Sequence, residues 1–197
     1  MAWISKNDFL SQSEMDNNAK EVFRFFSGRG WSLNAIAGML GNMHTESTIN
    51  PGIWQNLDYG NTSLGYGLVQ WTPMTKLSDW LFTNGYADTG DNQCLRIIYE
   101  LNNGLQWIST SEYPMSFKEF STSTKSPSYL ADAFLKCYER PADQNQPNRG
   151  TQANYYYKLL SGEEPGEPGE PGIVPTTSKR KHFNFVLFQA NRRRRYW

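Results

Sequence analysis

Residues 44–52 read HTESTINPG, and residues 63–72 read SLGYGLVQWT. The first stretch follows apolar residues at helical spacing, which predict a helix over residues 33–46. Asn50-Pro51-Gly52 ends that helix, because proline and glycine do not continue one. The second stretch combines glycine with strand-forming residues and predicts a β-hairpin. Glu46 is therefore expected at a helix end that faces a polar hairpin.

The rest of the chain up to about residue 160 is predicted to be mostly helical. Apolar periodicity predicts further helices at 13–27, 74–84, 91–103, 128–139 and 150–160. With the hairpin, these helices make an α+β fold over residues 1–160, mostly helical with one small sheet. Gly38 and Gly41 are poor helix formers inside the second helix. Their presence favours close approach of another backbone over a slightly frayed helix.

Four short motifs give this region a family resemblance. They are GMLGN at 38–42, ESTINPG at 46–52, GYGLVQWT at 65–72 and YERP at 138–141. Dispersed in this order over about a hundred residues, they resemble the phage tail lysozyme family, within the lysozyme and lytic transglycosylase superfamily. The resemblance covers roughly residues 10–160. It implies a lysozyme-like fold, with the hairpin flanking a cleft, and degradation of peptidoglycan.

Glu46 is the candidate catalytic acid. Cleavage of a glycosidic bond needs a proton on the leaving oxygen, and an exposed glutamate is ionised at neutral pH. Burial near Leu40 and Met43 is expected to raise the pKa of Glu46, and the negative end of the helix acts in the same direction. A surface role for Glu46 is the alternative, which the surrounding motif disfavours.

The second catalytic group is open. Asp58, in the loop before the hairpin, is the best carboxylate candidate, although it could equally be a turn residue beside Gly60. By resemblance to the superfamily, one glutamate can suffice when the acetamido group or the 6-hydroxyl of the substrate completes the reaction. Catalytic candidates are therefore Glu46 and Asp58.

Candidate substrate-binding residues come from two motifs. On the hairpin, Gln70 and Thr72 could position water or bond a sugar, and Tyr66 could stack on one. By resemblance, Tyr138 and Glu139 lie near the cleft, although Glu139 could instead form an ion pair with an arginine. Strand alternation makes some hairpin residues part of the core.

No cofactor and no metal site are predicted, because no His, Cys, Asp or Glu cluster has ligand spacing and no phosphate-binding loop is present. His44 is expected to be a hydrogen-bonded polar residue. Cys94 and Cys137 are expected to be buried free thiols, although a disulfide between them remains open.

Composition changes after residue 160. Residues 161–178 repeat Gly, Glu and Pro and predict an extended linker. Residues 179–197 are basic and aromatic and are predicted to form a flexible tail, whereas residues 1–160 are slightly acidic. The tail could bind an anionic wall polymer, nucleic acid or phage tail proteins, or it could be a solvated segment. The N-terminus has no signal-peptide pattern, and no membrane span is evident.

The leading functional hypothesis is a hydrolase that cuts the β-1,4 bond between N-acetylmuramic acid and N-acetylglucosamine. A lytic transglycosylase acting on the same bond and a non-catalytic wall-binding virion module are the alternatives. The resemblance and the missing signal peptide place the protein in a phage virion, at the tail tip, or at the host wall after release. Peptidoglycan glycan strands are the expected partner.

Overall fold

The computed structural model describes residues 2–165, which contain seven α-helices. The helices are α1 (Gln12–Ser27), α2 (Leu33–Ser47), α3 (Thr75–Asn84), α4 (Gly90–Asn102), α5 (Phe117–Thr122), α6 (Pro127–Phe134) and α7 (Asn148–Ser161). A 3₁₀ turn spans Gln55–Leu57, and a π-helical turn, Leu135–Glu139, continues α6. The mostly helical architecture expected from the sequence is confirmed.

Helix α2 is the centre of the domain. It packs most extensively on α7 and α6, and it also contacts α1 and α5. Eleven of its residues are buried, and they lie on all sides of the helix. A helix that is buried all round must be largely apolar, and α2 carries no acidic residue in its first turn and only His44 and Glu46 as titratable groups.

Close packing of α2 depends on two glycines. A Cβ at Gly38 would lie 2.8 Å from Cβ of Leu130 in α6, and one at Gly41 would lie 2.3 Å from the carbonyl oxygen of Arg149 in α7. Both distances are shorter than side chains tolerate. The expected close approach of another backbone is therefore confirmed at both positions, and it brings α6 and α7 against α2.

The expected hairpin is wrong as a strand assignment. Within residues 2–165 the segment makes two isolated antiparallel bridges, Trp54 with Tyr66 and Tyr66 with Trp71, and no strand. The reason is local. Gly67 and Gln70 adopt left-handed φ values of 76° and 50°, which curl the chain into a tight loop. The amide N–H of Gly65 donates to the side-chain oxygen of Gln55 and so is not available for a strand.

Both cysteines are buried and free. Burial raises the pKa of the Cys94 thiol well above its ordinary value, and it raises that of Cys137. The expectation of buried free thiols is confirmed. None of the helices between residues 2 and 165 is long and apolar enough to cross a membrane. The predicted linker beyond residue 165 and the tail at 179–197 lie outside the described residues.

Candidate active site

Glu46 lies in the last turn of α2 and is only 7% exposed. The helix ends immediately after it, because Thr48 and Ile49 both adopt a left-handed φ of 53°. Asn50 then fixes the chain reversal. Its side-chain amide donates to the carbonyl oxygens of Lys6 and Asp8 and accepts from the backbone of Gly52. The catalytic candidate thus stands at a rigid helix end.

The loop formed by residues 63–73 is joined to this helix end by polar contacts. Ser47 donates its hydroxyl to the carbonyl of Leu68 at 2.8 Å. Gln93, a fully buried residue of α4, accepts from the amide of Leu68 and donates to the carbonyl of Pro51. The two sequence stretches that predicted the site are therefore adjacent in the fold.

Arg149, at the start of α7, contacts Glu46 directly. Its Nη2 donates to Oε1 of Glu46 at 2.7 Å, and the two side chains are 3% and 7% exposed. An arginine favours the ionised form of a neighbouring carboxylate, whereas burial favours the neutral form. The burial was expected from the sequence, whereas the arginine, which lies 103 residues further along the chain, was not.

Two amide side chains complete the surroundings of the guanidinium. Nη1 of Arg149 donates to Oδ1 of Asn42 at 2.9 Å, and Nε donates to Oε1 of Gln146 at 2.7 Å. All four residues are buried. Because buried polar groups must be paired, this network holds Glu46 and Arg149 in one geometry.

His44 belongs to the interface between α2 and α7. Its Nδ1 is 2.8 Å from the hydroxyl of Tyr156, and burial lowers the pKa of His44 to about 4. The imidazole is therefore neutral at pH 7. Thr45 adds a further bond across the interface, donating to Gln152 at 2.8 Å. The expectation that His44 is a hydrogen-bonded polar residue is confirmed.

Gln70 and Thr72 lie in the loop beside the helix end. Gln70 is 3% exposed, and its Nε2 donates to the carbonyls of Ile53 and Gly67. Its Oε1 is buried and has no hydrogen-bond partner among the described residues. Thr72 is half-buried and donates its hydroxyl to the backbone of Gln70. Gly65 packs against both side chains, since a Cβ there would lie within 3.0 Å of each.

Tyr66 and Asp58 have contrasting surroundings. Tyr66 is 8% exposed, packs on Trp54 and donates its hydroxyl to Asp88 at 2.6 Å. Burial, with Asp88 beside it, raises the pKa of Tyr66. Asp58 is exposed and accepts a hydrogen bond from Asn61 at 2.8 Å. A turn role therefore accounts for the contacts of Asp58, and its catalytic role stays a prediction.

The YERP motif forms the end of the π-helical turn. Tyr138 is 1% exposed and donates its hydroxyl to Glu100, while Glu139 is half-buried. Arg140 adopts a left-handed φ of 49° and donates to the carbonyls of Gln106 and Cys137, so it fixes the turn. The substrate-binding roles of Tyr138 and Glu139 stay predictions.

Glu100 is another buried carboxylate, and the sequence did not single it out. Its Oε1 accepts from the indole of Trp71 at 2.9 Å and from Arg96 at 3.1 Å, and its Oε2 accepts from Tyr138. Burial raises the pKa of Glu100, against the opposing effect of these donors. Among residues 2–165, no cluster of three or more His, Cys, Asp or Glu side chains could hold a metal ion.

Comparison with known families defines the class of protein. Residues 17–160 match the phage tail lysozyme family, and the chain belongs to that family. It is also similar to "Morphogenesis protein 1" of Bacillus phage B103, with 58% identity over 162 residues. This alignment covers 82% of the chain and 44% of the relative, so the chain spans less than half the length of that relative.

Proposed function

We propose that the protein cleaves the glycan strands of peptidoglycan, at the β-1,4 bond between N-acetylmuramic acid and N-acetylglucosamine, with Glu46 as the general acid. The observation that carries this proposal is the burial of the Glu46 carboxyl group at the end of α2. Membership of the phage tail lysozyme family supports the same substrate.

The chemistry follows from a single proton transfer. Glu46 gives its proton to the bridging oxygen as the bond from that oxygen to C1 breaks, and the bonding electrons stay with the oxygen. An oxocarbenium-like centre forms at C1. In a hydrolase, water attacks C1 and its proton returns to Glu46. In a lytic transglycosylase, the 6-hydroxyl of the same sugar attacks and supplies that proton.

Further groups are assigned to the proposed cleft by their exposure. Thr72 and Glu139 are the least buried of the five substrate-binding candidates, and we propose that they contact sugar directly. Gln70, Tyr66 and Tyr138 are buried and would act by holding the loop and the turn. Asp58, being exposed, is available as the second carboxylate.

The decisive experiment compares wild type with Glu46→Gln in the clearing of Gram-positive cell walls, followed by loss of turbidity. We expect a loss of at least ~100-fold, the lower range for removing a general acid. Glu21→Gln is the matched control, because Glu21 is also buried and paired with an arginine, Arg24, at 2.8 Å. Equal clearing by Glu46→Gln and wild type would support the non-catalytic wall-binding module instead.

Product analysis separates the two enzymatic readings. Mass spectrometry of digested walls should give reducing muropeptides if water is the acceptor. Products lighter by one water, with a 1,6-anhydro ring, would assign the lytic transglycosylase reaction. Asp58→Asn tests the second carboxylate, since an activity equal to that of wild type would reduce Asp58 to a turn residue.

The family and the phage relative support a place for the protein in the virion. We propose that it acts at the tail, where it would open the wall of a Gram-positive host. The tail at 179–197 is proposed to hold an anionic wall polymer or a phage tail protein, since its arginine clusters suit phosphate groups. Deleting these residues should weaken wall binding and leave cleavage of soluble glycan unchanged.

A further inference from the structure

The guanidinium of Arg149 has a separate acceptor for each of its nitrogens. Nε donates to Gln146, Nη1 to Asn42 and Nη2 to Oε1 of Glu46, at 2.7, 2.9 and 2.7 Å. A guanidinium is planar and only donates. Three acceptors placed around its plane therefore fix its rotation as well as its position.

The two amide acceptors are themselves oriented. The Nδ2 group of Asn42 donates to the carbonyls of Gly38 and Ala131, which leaves Oδ1 to face Arg149. The Nε2 group of Gln146 donates to the carbonyl of Asp143, which leaves Oε1 to face Arg149. Neither amide can flip without losing these bonds, so the fold fixes the orientation of both acceptors.

The backbone of Arg149 is anchored as well. Its carbonyl oxygen lies where a Cβ on Gly41 would stand, at 2.3 Å from that position. Gly41 lies one helical turn before Thr45 and Glu46 on α2, and Thr45 bonds Gln152 of α7. The start of α7 is thus held against the same helix that carries Glu46.

From this geometry we propose that Arg149 is a positioning residue that makes the two carboxyl oxygens of Glu46 unequal. Oε1 is the permanent acceptor for Arg149, and Oε2 carries the proton that goes to the glycosidic oxygen. An arginine N–H cannot face a carboxyl O–H, because both are donors. The inference rests on the proposed function of Glu46 and assigns the atom through which it acts.

Arg149 also has a role after the transfer. When the proton leaves Oε2 for the bridging oxygen and the bond to C1 breaks, Glu46 becomes an anion in a buried place. A charge-assisted hydrogen bond from Nη2 stabilises that anion without any rearrangement. When water or the 6-hydroxyl attacks C1, the released proton returns to Oε2, and Oε1 remains bound to Arg149 throughout.

The test uses Arg149→Lys and Arg149→Met in the full chain, with rates measured on soluble muropeptide oligomers by chromatography. Lysine keeps the charge but lacks the planar fork. We expect kcat to fall at least ~10-fold for lysine and about 100-fold for methionine, the scale of a small misplacement of a catalytic group. KM should change little, because the side chain of Arg149 is buried.

Arg24→Met is the control for removing an arginine from a buried glutamate, Glu21, because Arg24 itself is 56% exposed and lies outside the proposed site. It should keep the wild-type kcat. Thermal melting identifies any variant that does not fold. If Arg149→Met is unfolded, the test uses Arg149→Lys and Gln146→Met instead. Gln146→Met removes one acceptor from the guanidinium and keeps the ion pair with Glu46. Each should lower kcat while the protein remains folded.

A double variant separates positioning from a general structural role. In the Glu46→Gln background, Arg149→Met should cause no further loss of the residual rate, because the residue it positions is gone. An equal loss in both backgrounds would overturn the inference, as would a wild-type kcat for folded Arg149→Lys and Arg149→Met. Full activity of Glu46→Gln alone would instead overturn the proposed function.

Discussion

Trp71 and Tyr138, which belong to two different motifs of the sequence, donate to opposite oxygens of one buried carboxylate. That carboxylate is Glu100 of α4, which Arg96 also contacts at 3.1 Å. The loop at 63–73 and the π-helical turn are therefore fixed to the same point. Glu100 is 2% exposed, so these donors replace the water that would otherwise solvate its carboxyl group.

Tyr138→Phe should destabilise the fold. It removes one donor from the buried carboxylate and leaves Oε2 of Glu100 without that bond. The expected loss is about 1–3 kcal/mol in the free energy of unfolding, measured by urea denaturation. Tyr59→Phe is the control, because Tyr59 is 80% exposed. The free energy of unfolding of this variant should equal that of wild type. Equal stabilities for the two variants would contradict the role of the Tyr138 hydroxyl.

Glu100 should make stability fall as the pH rises. Burial raises the pKa of Glu100 above its ordinary value of 4.5, so the folded protein holds this proton more tightly than the unfolded chain does. The contribution of Glu100 to the free energy of unfolding is complete below about pH 4.5. It is lost as the pH rises through the raised pKa of this carboxyl group. Glu100→Gln should flatten this part of the curve of Tm against pH. Parallel curves for wild type and Glu100→Gln would rule the effect out.

His44 should act in the opposite direction. Its pKa is about 4 in the folded protein against an ordinary value of 6.5, because the ring is buried. The contribution of His44 to the free energy of unfolding is complete above pH 6.5 and is lost as the pH falls towards 4. The total loss is about 3 kcal/mol, at 1.36 kcal/mol for each pH unit. NMR titration can follow it directly, since the chain has only two histidines. A midpoint near 6.5 for His44 would contradict this prediction.

Gly41→Ala should disturb the site from a distance. The new Cβ would lie 2.3 Å from the carbonyl oxygen of Arg149, so α2 and α7 must separate. We expect a loss of about 1–3 kcal/mol in stability, as for other overpacked interiors, together with a lower rate of wall clearing. Gly28→Ala is the control, because Gly28 has a φ of −63° and its nearest neighbour would lie 3.3 Å away. Gly28→Ala should retain the wild-type stability and the wild-type rate of wall clearing.

Most of the helices could be predicted from sequence because their apolar residues recur at a helical period. Helix α5 escaped this approach, since its six residues are too few for a period, and only Ser116 and Glu119, which form a capping box, mark it. The hairpin was predicted from composition. Composition does not reveal that Gly67 and Gln70 turn left-handed, which replaced a pair of strands with a loop.

The candidate site was only half visible in the sequence. Glu46 follows a helical pattern and precedes a helix stop, so its place at a helix end could be inferred. Arg149 carries no local signal, because it is one arginine among several basic residues and its contact spans 103 residues. Gly41 was the indirect clue: it predicted that another backbone would come close to α2, without saying which one.

The long separation between Glu46 and Arg149 has a consequence for synthesis. When the ribosome has translated residue 102, α1 to α4 and the proposed acid Glu46 have been made, but Arg149 has not. Under the roles proposed for these two residues, the nascent polypeptide stays inert until α7 emerges from the exit tunnel and docks on α2.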